Sequence, residues 1–385
     1  VKFETPEFCN MHAWFKGLDI EVTEGKMQGP KHTMTHKGVK TDYGLGGLHG
    51  CTAAGIYEST DTHVIMSVDV ASFYPNLAIR NRWSPEHIPK EPFCELYEWF
   101  YKTRKKYDKK NPLNYLFKII LNSTYGLSKN KHSFLYDPEL TFRITMNGQL
   151  LLSMLYEQIS LAIPEAQPIM QNTDGLEFII PRDKIEIFTD VCAEWEKMTQ
   201  LTLETDTYKR MIIRDVNNYI AVYTDITKKP KCKGVFEWEN LPLHKNKSFL
   251  VVTKAIYHYF VHGLSPEEYL ETNKNIFDYC GGVKIKGDWH FLQRRIVDGK
   301  FKEEHLQKLI RYYISETGVK LFKKHSDGRE IQIEAGKWVQ KVFNKFADLP
   351  FEKYGIDKRY YLEQIQQEID NIEGSAAEKA QLSLF

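Results

Sequence analysis

The chain has 385 residues, 42% of them hydrophobic and 27% charged, which points to a soluble globular protein too long for one compact core. Lysines and arginines number 52 and acids 51, so no global charge announces a nucleic-acid or membrane partner, and any basic surface has to be local. Six widely spaced cysteines without a C-x-x-C pair argue against a structural zinc site or a secreted disulfide framework and for a reducing compartment; no apolar run approaches a membrane span.

In chain order, Val1 to Phe15 can carry one amphipathic helix. Asp19-Ile20-Glu21 has the D-x-E spacing of an exonuclease metal pair, but too few residues follow it for a nuclease domain, and it reads as plain strand or loop. Tyr43 to Gly50 is a glycine-dense loop whose backbone could approach a phosphate closely. Val64-Ile65-Met66 then reads as a buried strand that ends in Asp69 and breaks into the turn Ser72-Phe73-Tyr74-Pro75. Taken alone, Asp69 is an ordinary strand-end acid.

Residues 99–131 hold nine lysines and arginines against the single acid Asp108, a local charge of +8. Asn111-Pro112 separates two helical patterns, which predicts a hairpin of helices over roughly 93–108 and 112–128. On the second, Lys118, Asn122 and Tyr125 recur at i, i+4 and i+7 and share one face. A long helix is expected from Asp137 to about Leu161. Two strand patterns flank Asn172-Thr173-Asp174-Gly175, placing Asp174 at a hairpin tip. A helix over 183–198 and strands from Leu201 to Glu239 follow. From Pro242 the chain is expected to be mostly helical, with a basic and aromatic run from Trp289 to Lys324. The tail is acidic between Tyr360 and Ala380, loosens at Gly374-Ser375-Ala376-Ala377, and ends in the apolar Gln381-Leu382-Ser383-Leu384-Phe385.

These blocks, in this order, resemble the polymerase half of family-B DNA polymerases, from about Tyr43 to the C-terminus. Asp69 to Leu77 is similar to motif A, D-x-x-S-L-Y-P-S, with Phe73 and Asn76 as departures. Lys118 to Gly126 matches motif B, K-x-x-x-N-S-x-Y-G, at every fixed position. Asn172-Thr173-Asp174 resembles the D-T-D of motif C with Asn for its first acid, and Tyr43 to Gly47 the Y-x-G-G loop. Asn217-Asn218-Tyr219 stands where the K-x-Y element is expected, without its lysine. Gln381 to Phe385 resembles the bacterial sliding-clamp-binding pentapeptide at all five positions.

The resemblance implies an α+β right-hand polymerase with an antiparallel-sheet palm, helical-hairpin fingers and a mostly helical thumb. Its implied divisions are a lead-in over 1–63, palm over 64–83 and 136–239, fingers over 84–135, thumb over 240–358 and an acidic tail over 359–385. The implied reaction is template-directed addition of dNTPs to a primer, with two Mg2+ ions (Mn2+ as a substitute) on Asp69, Asp174 and the Val70 carbonyl. Asn172 leaves metal affinity or choice open. The implied dNTP contacts are Ser72, Phe73, Tyr74, Arg104, Lys118 and Asn122, with Lys105 and Lys106 as rivals to Arg104 and Tyr74 as the barrier to a 2′-hydroxyl. Tyr125 and Gly126 would pack the nascent base pair. Gly46, Gly47, Thr173, Asn218, Tyr219, Lys233 and Arg311 would meet primer or template, and Gln381, Leu382, Ser383, Leu384 and Phe385 a sliding clamp. The chain is too short for its own exonuclease domain, so proofreading is lost, truncated away or carried by a separate chain. The expected setting is the bacterial cytoplasm, with a phage or mobile element as source. The alternatives are a catalytically silent primer-template and clamp-binding subunit, or an RNA-related palm enzyme.

Overall fold

The computed structural model describes residues 1–23, 26–239, 248–342 and 349–382, and their side chains except at 21–23, 26–28, 341 and 375–382. The architecture is α+β with antiparallel sheets. Two compact units are present: Val1–Ala53, Tyr57–Met211 and Ala221–Pro230 make the first, and Ala54–Ile56, Ile212–Ile220 and Lys231–Phe385 the second.

The first unit opens with α1 (Pro6–Lys16) and the strands β1 (Glu21–Thr23), β2 (Lys26–Gln28), β3 (His32–His36), β4 (Val39–Gly44), β5 (Gly47–Cys51), β6 (Gly55–Glu58) and β7 (His63–Val70). Helices α2 (Phe73–Asn81), α3 (Lys90–Arg104), α4 (Pro112–Ser128) and α5 (Pro138–Ala162) follow. Then come β8 (Gln167–Asn172), β9 (Gly175–Pro181), α6 (Ile185–Thr199), β10 (Leu203–Asp215) and β11 (Asn218–Tyr223), with residues 55–56 of β6, 212–215 of β10 and 218–220 of β11 counted in the second unit. Its sheet runs β10-β7-β9-β8-β5-β4-β3. Along β7 every second residue from Val64 to Val70 enters the hydrophobic core with Leu176, Phe178 and Ile180 of β9 and Ile144, Leu152 and Leu155 of α5. The intervening Ile65, Ser67 and Asp69 therefore face the other side of the sheet.

Local signals explain the helix starts. The Asn111 side chain accepts from Leu113 N at 2.9 Å with Pro112 at the first helical position, and Asp137 accepts from Leu140 N at 2.8 Å ahead of Pro138. The segment Tyr43 to Gly50 is not an open loop: β4 and β5 pair through it in register, Gly44 opposite Gly47. Only Leu45 and Gly46 turn, and φ of +140° at Gly47 is a value that favours glycine.

In the second unit, β12 (Lys231–Cys232), α7 (Leu250–His262) and α8 (Pro266–Thr272) precede a run of strands: β13 (Gly281–Lys284), β14 (Trp289–Val297), β15 (Lys300–Leu306), β16 (Leu309–Ser315), β17 (Lys320–His325), β18 (Glu330–Ile333) and β19 (Trp338–Lys341). These form sheets of order β13-β16-β19 and β15-β14-β17-β18. The expectation of a mostly helical 240–358 is therefore corrected. The deciding signal is Asp298-Gly299, both at positive φ, which closes a two-residue hairpin with Val297 opposite Lys300.

The tail is corrected too. Helix α9 (Lys358–Leu382) runs straight through Gly374-Ser375-Ala376-Ala377. Its Tyr361, Ile365, Ile369 and Ile372 are buried, and the Tyr361 hydroxyl accepts from Ile314 N (2.9 Å) and donates to Tyr279 O (2.7 Å). The first half of α9 thus belongs to the core of this unit. Of the pentapeptide Gln381 to Phe385, only the backbone of Gln381 and Leu382 lies within the described residues. No helix among the described residues is long and apolar enough to cross a membrane.

Candidate active site

Two acids meet where β7 and the β8–β9 hairpin end together. Asp69 lies in register with Gly175, and Val70 N donates to Asp174 O at 2.7 Å. A Cβ at Gly175 would run into Asp69 Oδ1, so glycine there leaves the carboxylate its room. Asp174 is exposed at the hairpin tip and Asp69 half-buried on the face away from the helices. The Val70 side chain sits in the core on the opposite face, which leaves only its backbone to serve the site.

Both turns hold residues in the left-handed region. Ser72, between β7 and α2, has φ +48°, and Thr173, at the hairpin tip, has φ +46°. For a β-branched threonine this is an outlier, a cost that the surrounding structure has to hold in place. Thr173 N donates to Leu48 O (3.0 Å), Thr173 Oγ1 donates to Asn172 Oδ1 (3.1 Å), and His49 Nε2 stands 3.3 Å from the same hydroxyl. Asn172, where the family pattern has an acid, thus has a bonding role at the tip.

The helical hairpin reaches this corner. Arg104, at the end of α3, donates from Nη1 to Ser72 Oγ (2.7 Å) and from Nε to Asn114 Oδ1 (3.2 Å). Asn114 donates in turn to the carbonyls of Tyr107 (2.8 Å) and Arg104 (3.3 Å), splinting the connection between the helices. Burial lowers the Arg104 pKa, opposed by the charge of Glu204. Lys105 and Lys106, the rivals of Arg104, are exposed, and Lys105 lies over the Tyr101 ring. Lys118 and Asn122 are exposed on α4, Tyr125 is half-buried on the same face, and Gly126 is open to solvent.

Tyr74 and Tyr125 form an aromatic pair with centroids 4.7 Å apart. Both hydroxyls are buried and make no hydrogen bond among the described residues. Burial raises both pKa values, that of Tyr125 to about 12, and the neighbouring Tyr125 and Asp174 add to the shift of Tyr74. The phenols therefore stay neutral through the physiological range. A Cβ at Gly148 would stand 3.1 Å from the Tyr74 ring, and one at Gly47 would stand 3.2 Å from the Tyr74 hydroxyl. These two glycines leave room for the ring. The Phe73 side chain is core, 4% exposed, so only its backbone can contribute to a site.

Several functional candidates were missed in the sequence. Glu204 on β10 lies directly opposite Asp69, and paired residues of antiparallel strands share a face. It is a third acid beside the pair, bridged to Lys109 at 3.0 Å. The alternation Glu204, Asp206 along a strand was the available signal. His49, Gly148 and Asn114 had none, because their roles come from partners distant in sequence.

The residues expected at primer or template divide between the units. Gly46, Gly47 and Thr173 lie in the first. In the second, Asn218 is a brace: its Nδ2 donates to both Asp215 carboxylate oxygens (2.8 Å each) and its Oδ1 accepts from Val235 N (2.7 Å). The Tyr219 ring is buried, which removes it from any surface, while Lys233 is exposed. Arg311 is half-buried on β16; its neighbours Tyr312 and Tyr313 are core residues donating to Glu334 Oε1 and Tyr354 O.

A scan against protein-family models and a search of curated proteins match nothing to this chain.

The donor set suits a hard divalent cation. Carboxylate oxygens and a backbone carbonyl are its preferred ligands, and the two aspartates are adjacent at the ends of paired strands. Among the described residues, no cage of three or more His, Cys, Asp or Glu side chains is present. Magnesium commonly binds through one or two carboxylates, with substrate phosphates completing its shell.

Proposed function

We propose that the chain is a template-directed DNA polymerase that adds dNTPs to a primer 3′ end, with its first unit supplying palm and fingers. The observation that carries this reading is the convergence on one corner of Asp69, Asp174 and the Ser72–Arg104 bond, with the Tyr74–Tyr125 pair beside it. Segments far apart in sequence meet there with carboxylates for cations, a guanidinium for phosphate and a ring for a sugar.

Asp69 and Asp174 would hold two divalent cations, with the Val70 carbonyl as a further ligand. When bound, those ions lower the pKa of the primer 3′-hydroxyl and offset charge on the triphosphate. Arg104, kept in place by Ser72 and Asn114, takes the triphosphate from one side, and Lys118 and Asn122 approach from α4. Tyr74 lies under the incoming sugar, neutral and closely packed, so that a 2′-hydroxyl meets a ring edge. Glu204 adds negative charge opposite Asp69 and tunes cation affinity. The second unit, with exposed Lys233 and half-buried Arg311, is assigned to duplex binding, and the C-terminal Gln381 to Phe385 to a sliding clamp.

The test is Mg2+-dependent primer extension with dNTPs against NTPs. The unaltered chain extends with dNTPs, and Asp69→Ala and Asp174→Ala each lower the rate about a thousandfold or more while melting as before. Extension that survives either change refutes the two-metal assignment. No extension by the unaltered chain, with duplex still bound, would favour the silent subunit.

A further inference from the structure

The outer face of the α3–α4 hairpin is an apolar surface that nothing covers among the described residues. Leu96 and Trp99 of α3 and Leu113, Leu116, Ile119 and Leu127 of α4 are exposed, Trp99 by 53% and Leu116 by 49%. At about 100° per residue, Leu113, Leu116, Ile120 and Leu127 fall within a sector of about 60°, with Lys118 and Asn122 on the far side. No other residue of α4 falls in that sector, Ser123 and Thr124 stand just outside its two edges, and it carries no charge. Trp99 stands edge-on to Phe117 at 6.1 Å and Phe100 lies 6.0 Å from it, which carries the surface across the seam between the helices. Patches of this kind mark protein contacts.

Charge selects the occupant. The turn at one end of the seam contains Lys105, Lys106, Lys109 and Lys110 against Asp108 alone, and the amino end of α4 adds partial positive charge there. Along α3, Glu91 and Glu98 are already paired, with Arg82 and with Lys102 (2.8 Å), and Lys109 of the turn is paired with Glu204 (3.0 Å), which leaves Lys105, Lys106 and Lys110 against Asp108 and the exposed Glu95. The remaining imbalance is positive. Aliphatic side chains dominate, and these fit the ridges of a helix, whereas single-stranded nucleic acid is held by aromatic platforms. A second copy would bring another lysine-rich turn to the same surface. We propose that this face docks an acidic amphipathic helix of a separate protein.

The test uses the full chain and a labelled synthetic helix with leucine at i, i+3, i+4 and i+7 and glutamate on the flanks. A control peptide carries lysine in place of glutamate. Fluorescence anisotropy should show saturable binding of the glutamate helix alone, about tenfold weaker in the Trp99→Ser/Leu116→Gln variant, whose melting is unchanged because both positions are exposed. Equal binding of the two peptides, or undiminished binding by the variant, overturns the proposal. Displacement by oligo-dT reassigns the face to single-stranded DNA. A concentration-dependent dimer abolished in the variant reassigns it to self-association. The peptide comparison on the unaltered chain stands whether or not the variant folds.

Discussion

Tyr74 is the residue whose surroundings say most. Its ring is held between Gly47 and Gly148 and against Tyr125, with its hydroxyl unbonded among the described residues, so its position comes from packing rather than from a polar partner. In the proposed reaction, Tyr74→Ala should raise ribonucleotide incorporation by about a hundredfold, with dNTP rates changed far less; competition between dNTP and NTP in primer extension reads the ratio. An unchanged ratio would refute the gate. Gly175 makes a separate prediction. An alanine there must push the Asp69 carboxylate aside, so Gly175→Ala should cost about a hundredfold in extension rate and little in melting temperature. The gate at Tyr74 was anticipated from the sequence, but the roles of Gly148 and Gly175 were not legible locally, since they come from side chains in other segments.

At the scale of elements, the α3–α4 hairpin was anticipated closely, because Asn111-Pro112 is a cap followed by a proline start, a purely local signal. The bond that gives the hairpin its use is not local: Arg104 reaches Ser72, 32 residues back, and Asn114 sets the angle at which it does so. Asn114→Ala should therefore raise KM for dNTPs by about tenfold while changing kcat less, because Arg104 loses its brace and the aspartates do not; steady-state extension kinetics separate the two. The β14–β15 hairpin makes the opposite point. The stretch from Pro242 was expected to be mostly helical, but the φ adopted at Asp298 and Gly299 decides for strands here. Helix α9 shows that an acidic composition does not make a linker when every third or fourth residue (Tyr361, Ile365, Ile369, Ile372) is apolar and buried.

Over the whole molecule, tyrosine burial sets a pH limit. Desolvation raises the pKa of Tyr125, Tyr269 and Tyr313 to about 12, and those of Tyr43, Tyr97 and Tyr156 move in the same direction. The unfolded chain releases these protons near pH 10, earlier than the folded one. Stability is thus fully present below about pH 10 and falls as pH rises toward the folded values. Melting followed from pH 8 to 11 should be flat and then drop. A melting temperature that holds through pH 11 would mean that the phenols ionise without unfolding.

The sequence by itself determined whatever depends on neighbours along the chain: the helix starts at Pro112 and Pro138, the tip at Asp174, the end of β7 within one residue of Asp69, and the shared face of Lys118, Asn122 and Tyr125. Only the tertiary structure decided which of these meet. Strand register brought Glu204 opposite Asp69 and Gly175 beneath its carboxylate, packing put Phe73 and Tyr219 into cores, and hydrogen bonding turned Asn218 into a brace. Register and packing are set by partners tens of residues away, and a local pattern cannot encode which distant partner arrives.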